Sequence, residues 1–136
     1  MSQQGVPGRV GEGPENAVDH FRRTLGNVPE PIAVLAAQAP EVLEAYVDFR
    51  SYVVADHEGG LDLATKELLF VILDVVYHNE PGALNHLRAG LRAGLTRQAL
   101  LEALLQTFMV GGIHTWGTIG HRVLAEAVKH EQGIED

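Results

Sequence analysis

From residue 40 to 56 the apolar positions Val42, Leu43, Tyr46, Val47, Phe49, Val53 and Val54 recur at intervals of three and four. That period predicts a helix, and Pro40 stands where a helix tolerates proline best, at its start. Upstream, shorter patterns predict a helix over residues 14–25, ended by Gly26, and another over 31–38 opened by Pro31. HEGGLD (57–62) reads as a loop, with Asp62 as the N-cap of the helix after it. The next segment, LATKELLFVILDVVY (63–77), is apolar nearly all round. At fifteen residues it is too long for a typical strand, its ATKELL opening favours helix, and such a helix is expected to be central and buried. PGALNHLRAGLRAGL (81–95) returns to a period near 3.6 and stops at Gly94; Thr96 then caps RQALLEALLQTFMV, which ends at Gly111-Gly112. A last helix is predicted over 113–129. The expectation is an all-α protein of six to seven helices: a single domain over 15–136, preceded by a flexible tail over 1–14 rich in Gly, Pro and Gln.

Composition narrows the function. With 136 residues the chain is one domain's length, and 46% hydrophobic residues suffice for a core. A formal charge of −8 argues against nucleic acid and against anionic membrane surfaces, both of which need a basic face. The longest strongly apolar run, 68–77, contains Asp74 and is far too short to span a bilayer. The first sixteen residues carry no apolar stretch of the kind a secretory signal needs, and a cytoplasmic protein is the simplest expectation. Cysteine is absent, which removes disulfides, thiolate catalysis and thiolate metal ligands.

Several polar residues sit where a core is expected. Glu67 lies one turn into the most apolar helix, and Asp74, seven residues on, falls within roughly 20° of the same face. Two carboxylates on one stripe of a buried helix are costly unless paired or hydrogen-bonded, and desolvation suits such groups to proton transfer. The structural alternative pairs Glu67 with an arginine such as Arg88 and leaves Asp74 to accept helix-end N–H groups. His86 shares its helix with Leu84, Leu87 and Leu91. His114, Thr118 and His121, at i, i+4 and i+7, share a face of a straight helix. Those two histidines would be separated by about 10.5 Å of rise, which argues against one metal held by the pair. A metal set of Glu67, His86 and either His114 or His121 stays open. Trp116, the only tryptophan, is a candidate for lining a pocket or an interface.

LDLATKELLFVILDVV, followed by HLRAGLRAGLTRQALLEALLQTFMVGG, resembles the carboxymuconolactone decarboxylase-like, or alkylhydroperoxidase D-like, superfamily over roughly residues 40–128. Its redox members carry Glu-x11-Cys-x2-Cys-x3-His on two consecutive helices. Laid on this chain, Glu67 and His86 match the Glu and the His, while Asn79 and Gly82 stand at the cysteine positions. Without both thiols a dithiol peroxidase cycle is impossible. The decarboxylase branch also lacks the paired cysteines, and the resemblance implies decarboxylation of a carboxylated muconolactone; the histidines of GGIHTWGTIGH depart from that branch.

The expected function is therefore a lyase or isomerase, needing neither cofactor nor metal, that acts on a small organic acid or lactone. His86 is its candidate general acid/base and Glu67 the group that orients it. Arg88 is a candidate carboxylate clamp, and His78, His114 and Trp116 are candidates for the substrate pocket. The alternatives are a non-catalytic ligand-binding or regulatory oligomer on the same scaffold, and a His/Glu metal enzyme. The resemblance implies a homotrimer or homohexamer, and helices this apolar in so short a chain point the same way.

Overall fold

Each helix of the structure begins or ends at a residue whose side chain or backbone closes it. In the computed structural model, residues 15–133 are described; the tail expected over 1–14 lies outside them. The elements are α1 (Ala17–Leu25), α2 (Glu30–Gln38), α3 (Pro40–Val54), α4 (Leu63–Val76), α5 (Glu80–Arg92), α6 (Arg97–Gly111), α7 (Ile113–Thr115) and α8 (His121–Glu131). A π-helical turn, Trp116–Gly120, joins α7 to α8 without a break. Counting that run once gives seven helical rods and no strand among the described residues, an all-α fold. The caps explain the boundaries: Asn16, Asp62, Asn79 and Thr96 each accept a backbone N–H three residues on, at 2.8, 2.7, 3.3 and 3.1 Å.

The chain divides into two compact units, with the boundary between Leu61 and Asp62. In the first, α1 buries Ala17, His20, Phe21 and Leu25, a stripe at helical spacing, and α3 buries Leu43, Val47, Arg50 and Ser51. None of α2's residues is buried. Two charged or titratable groups thus lie inside this small core, and they find each other: His20 Nε2 is 3.0 Å from Arg50, which also donates to Thr24 at 2.8 Å.

In the second unit α4 and α5 form a helical hairpin across only three residues, Tyr77–Asn79, with His78 in the left-handed region at φ 61°. Val71 and Val75 of α4 pack with Ala83 and Leu87 of α5, Leu100 and Leu104 of α6, and Val123 of α8. Gly90 sets how closely the hairpin closes. A Cβ there would come within 3.2 Å of the Glu67 Cβ and 3.0 Å of Leu95, so only glycine admits this approach without displacing a neighbour.

One expectation fails in part. α4 is not buried all round: Glu67, Val71 and Val75 face inward, while Leu69, Leu73 and Val76 keep between 45 and 51% of their surface accessible. A helix held in a hairpin buries the face it turns towards its neighbours. The opposite apolar stripe, at i, i+4 and i+7, is left open in the isolated chain.

Candidate active site

Glu67 enters the hairpin from α4 and His86 from α5. The carboxylate is 1% exposed, and its Oε2 lies 2.7 Å from His86 Nδ1. A buried carboxylate needs such a partner, and a single proton sits between the two atoms whichever of them holds it. The imidazole is then oriented with Nδ1 engaged and Nε2 turned away. Among the described residues no hydrogen bond reaches Nε2, and the side chain keeps 16% of its surface accessible. Phe70, one turn beyond Glu67, stacks on the ring at 4.5 Å between centroids and 30° between planes. The His86 ring is thereby fixed at two points, by a charge-assisted hydrogen bond at its edge and an aromatic face beneath it.

Asp74 completes the stripe. It lies within electrostatic reach of His86, accepts from the Asn79 side-chain amide at 3.2 Å, and partial burial raises its carboxyl above the usual range against those two influences. It does not serve helix-end N–H groups through its side chain; the Asn79 N–H bonds its backbone carbonyl instead, at 2.8 Å. At Gly82 a Cβ would fall 2.4 Å from Asn79 Nδ2 and 2.7 Å from Asp74 Oδ2. At one of the two positions that match cysteines in the redox pattern, then, a side chain would have to displace the carboxyl and the amide that fill the space.

The other residues singled out from the sequence lie elsewhere. Arg88, two residues past His86 and so on the other side of α5, pairs with Glu126 at 3.6 Å rather than with Glu67. Trp116 packs against the second unit's apolar core. His78 and His114 do come together, as lining of an apolar groove of about 460 Å³ with Ile72, Val76, Thr107 and Val110. Ile72 and Val76 lie about 140° and 180° around α4 from Glu67, so this groove and the Glu67–His86 pair occupy opposite sides of one helix.

The straight-helix geometry for His114 and His121 does not hold either. The π turn between them winds wider than an α-helix, and His121 Nδ1 instead reaches the Trp116 carbonyl at 2.7 Å. Among the described residues no three His, Asp or Glu side chains converge as metal ligands, so Glu67, His86 and His114 or His121 form no common site. Nor is any described helix long and apolar enough to cross a membrane. Phe70 and Gly90, which set the ring's position and the helix approach, gave no sequence signal: one reads as an ordinary core aromatic, the other as a weak point in a helix.

Comparison with known proteins agrees with this architecture. The model of the carboxymuconolactone decarboxylase family matches residues 40–116. A crystal structure of a Burkholderia xenovorans LB400 protein, provisionally named a carboxymuconolactone decarboxylase, superposes with a TM-score of 0.79 at 32% identity. That match covers 87% of this chain and 90% of the other. No curated protein matches significantly.

Proposed function

The chain belongs to the carboxymuconolactone decarboxylase family, and from that premise we propose that it is a cofactor-independent acid/base lyase or isomerase acting on a small unsaturated lactone or organic acid. The observation that carries this is the buried Glu67–His86 pair at 2.7 Å, with the imidazole braced on Phe70 and its second nitrogen open. Loss of CO2 beside a conjugated carbonyl needs one proton for carbon and stabilisation of one oxyanion. His86 Nε2 supplies the proton, and Glu67 fixes the tautomer and compensates the charge of the imidazolium. The cysteine-free chain has no thiol for peroxide reduction.

The test is turnover of a carboxylated muconolactone, followed by CO2 release. His86→Ala is expected to lower kcat by about 10²–10⁴-fold, the usual worth of a positioned general acid/base. Glu67→Gln should lower it less, because the amide still hydrogen-bonds the ring. Neither turnover nor binding across a panel of unsaturated lactones and keto acids would remove the enzymatic function. Ligand binding without catalysis is the second possibility. What favours it is the groove between His78 and His114, which lies away from the pair.

Self-association belongs to the same proposal. Leu69, Leu73 and Val76 on α4 and Leu105, Met109 and Val110 on α6 are open in the isolated chain. A stripe of this size is usually covered, and further copies of the chain cover it in a trimer or hexamer. Light scattering should give a multiple of 14.7 kDa, whereas the single-chain mass would refute assembly.

A further inference from the structure

Glu67, Phe70 and Asp74 stand at i, i+3 and i+7 of α4, and the His86 ring lies over the middle of that row. Glu67 takes the Nδ1 edge of the ring. Asp74 is the carboxyl at the far end of the row, half-buried and in the field of the imidazole, yet no hydrogen bond joins it to His86 among the described residues. Its place is set on both sides. Asn79 holds Oδ1, and the missing side chain of Gly82 leaves the space that Oδ2 enters.

Resting on the lyase function proposed above, we infer that Asp74 is a second catalytic group of this site: its protonated carboxyl donates a hydrogen bond to the carbonyl oxygen of an unsaturated lactone acid while His86 protonates carbon. The step balances without a cofactor. The bond between the ring carbon and the departing carboxylate breaks, CO2 leaves, and the electron pair moves through the conjugated system onto the carbonyl oxygen. The Asp74 O–H stabilises that oxygen, and the dienolate carbon takes the proton from the Nε2–H of the His86 imidazolium. Solvent then returns a proton to the neutral imidazole. One proton is consumed per CO2 released, as replacing carboxylate by hydrogen requires.

Burial raises the Asp74 carboxyl above the usual range, and a protonated carboxyl in a partly dry site is a stronger donor to an oxyanion than water. Other charges bear on it little. Glu67 on its own helix is engaged with His86, and Glu80 at the start of α5 is engaged with Arg122 of α8 at 3.1 Å. Of the groups facing Asp74 from α5, the His86 imidazole is the one whose charge acts on it, so the carboxyl and the imidazole form the functional couple.

The experiment uses the full-length protein and tetronate, an enolised lactone anion that mimics the dienolate, and so does not depend on finding the substrate. Wild-type protein should bind tetronate more tightly as pH falls through the Asp74 titration, followed by carboxyl-carbon NMR. Asp74→Asn, which still donates but cannot ionise, should bind without that pH dependence; Asp74→Leu should bind at least about tenfold more weakly. Gly82→Ala, which pushes Oδ2 aside, should mimic Asp74→Leu while circular dichroism confirms the fold. Equal tetronate binding by wild type, Asp74→Asn and Asp74→Leu at every pH overturns the assignment, as does an Asp74 that titrates like a free aspartate. Turnover lost in His86→Ala but unaltered in Asp74→Leu also overturns it, and leaves the Glu67–His86 function standing. Tetronate binding that depends on Asp74, in a protein inert to every lactone acid, leaves Asp74 as an oxyanion-binding group and overturns the lyase, and with it the catalytic role.

Discussion

His86→Ala is expected to destabilise the protein by about 3–5 kcal/mol at neutral pH, among the largest effects of any single substitution outside the apolar core. The reason is Glu67. Its carboxylate is 1% exposed on the inner face of α4, and His86 is the partner that makes that burial tolerable. Removing the ring leaves the carboxylate to ionise in a dry site or to take up a proton, and opens a cavity over Phe70 where the imidazole stacked. Glu67→Gln should cost only about 1–2 kcal/mol, because an amide still meets Nδ1 and no charge is stranded. Replacing both partners with apolar residues, as in Glu67→Leu/His86→Phe, should restore most of what His86→Ala loses, since neither desolvated group remains. Urea unfolding of the wild type and the three variants decides it. A double mutant as unstable as His86→Ala would mean that the site is held by packing and not by the pair. Activity should part company with stability here: under the proposed lyase function the apolar double variant folds and does nothing.

That pair was legible in the sequence because a carboxylate inside LATKELLFVILDVV has no business there without a partner, and the matching interval supplied His86. Helix ends were legible for a similar reason. Asp62 and Thr96 can cap because their side chains reach a backbone N–H three residues on, and both do. What periodicity could not tell is which surface buries a stripe. Leu69, Leu73 and Val76 look as core-like as Val71 and Val75, yet the hairpin covers only one side of α4. Local pattern was equally blind to the winding of the last helix. The π turn at Trp116–Gly120 wraps His121 onto a carbonyl instead of lining it up with His114. Placing His78 and His114 beside His86 likewise needed the angle around α4, which puts them on its far side. The role proposed for Asp74 rests on the close approach of its carboxyl to Gly82, a property of two helices meeting and of neither alone.

The first unit should lose stability between pH 6.5 and about 4, through one residue. His20 is completely buried in α1, and its Nε2 stands 3.0 Å from Arg50, a group that only donates. Nε2 must therefore accept, which fixes a neutral ring with its hydrogen on Nδ1, towards Glu15 at 3.5 Å. Burial, and next the Arg50 charge, lower its pKa from 6.5 to about 4. With the folded value below the unfolded one, the unfolded chain binds the proton first on acidification. Stability is thus complete above 6.5 and falls with pH, at up to about 1.4 kcal/mol per unit, reaching a loss of about 3 kcal/mol by pH 4. Glu15 and Asp62, both held below the usual carboxylate range, give up their contributions only below 4.5 and 3.8, so from 6.5 down to 4.5 the histidine acts ahead of them. Asp74 has the opposite sign: its raised pKa favours the folded state at the acid end and cannot produce this loss. His20→Gln keeps an acceptor for Arg50 but does not titrate. Its unfolding free energy should be lower than wild type at pH 7 and flatter from 6.5 to 4, so that the two curves converge towards pH 4. Parallel curves across that window would mean that His20 takes up its proton as readily in the fold as in the unfolded chain, and would overturn the neutral ring assigned to it.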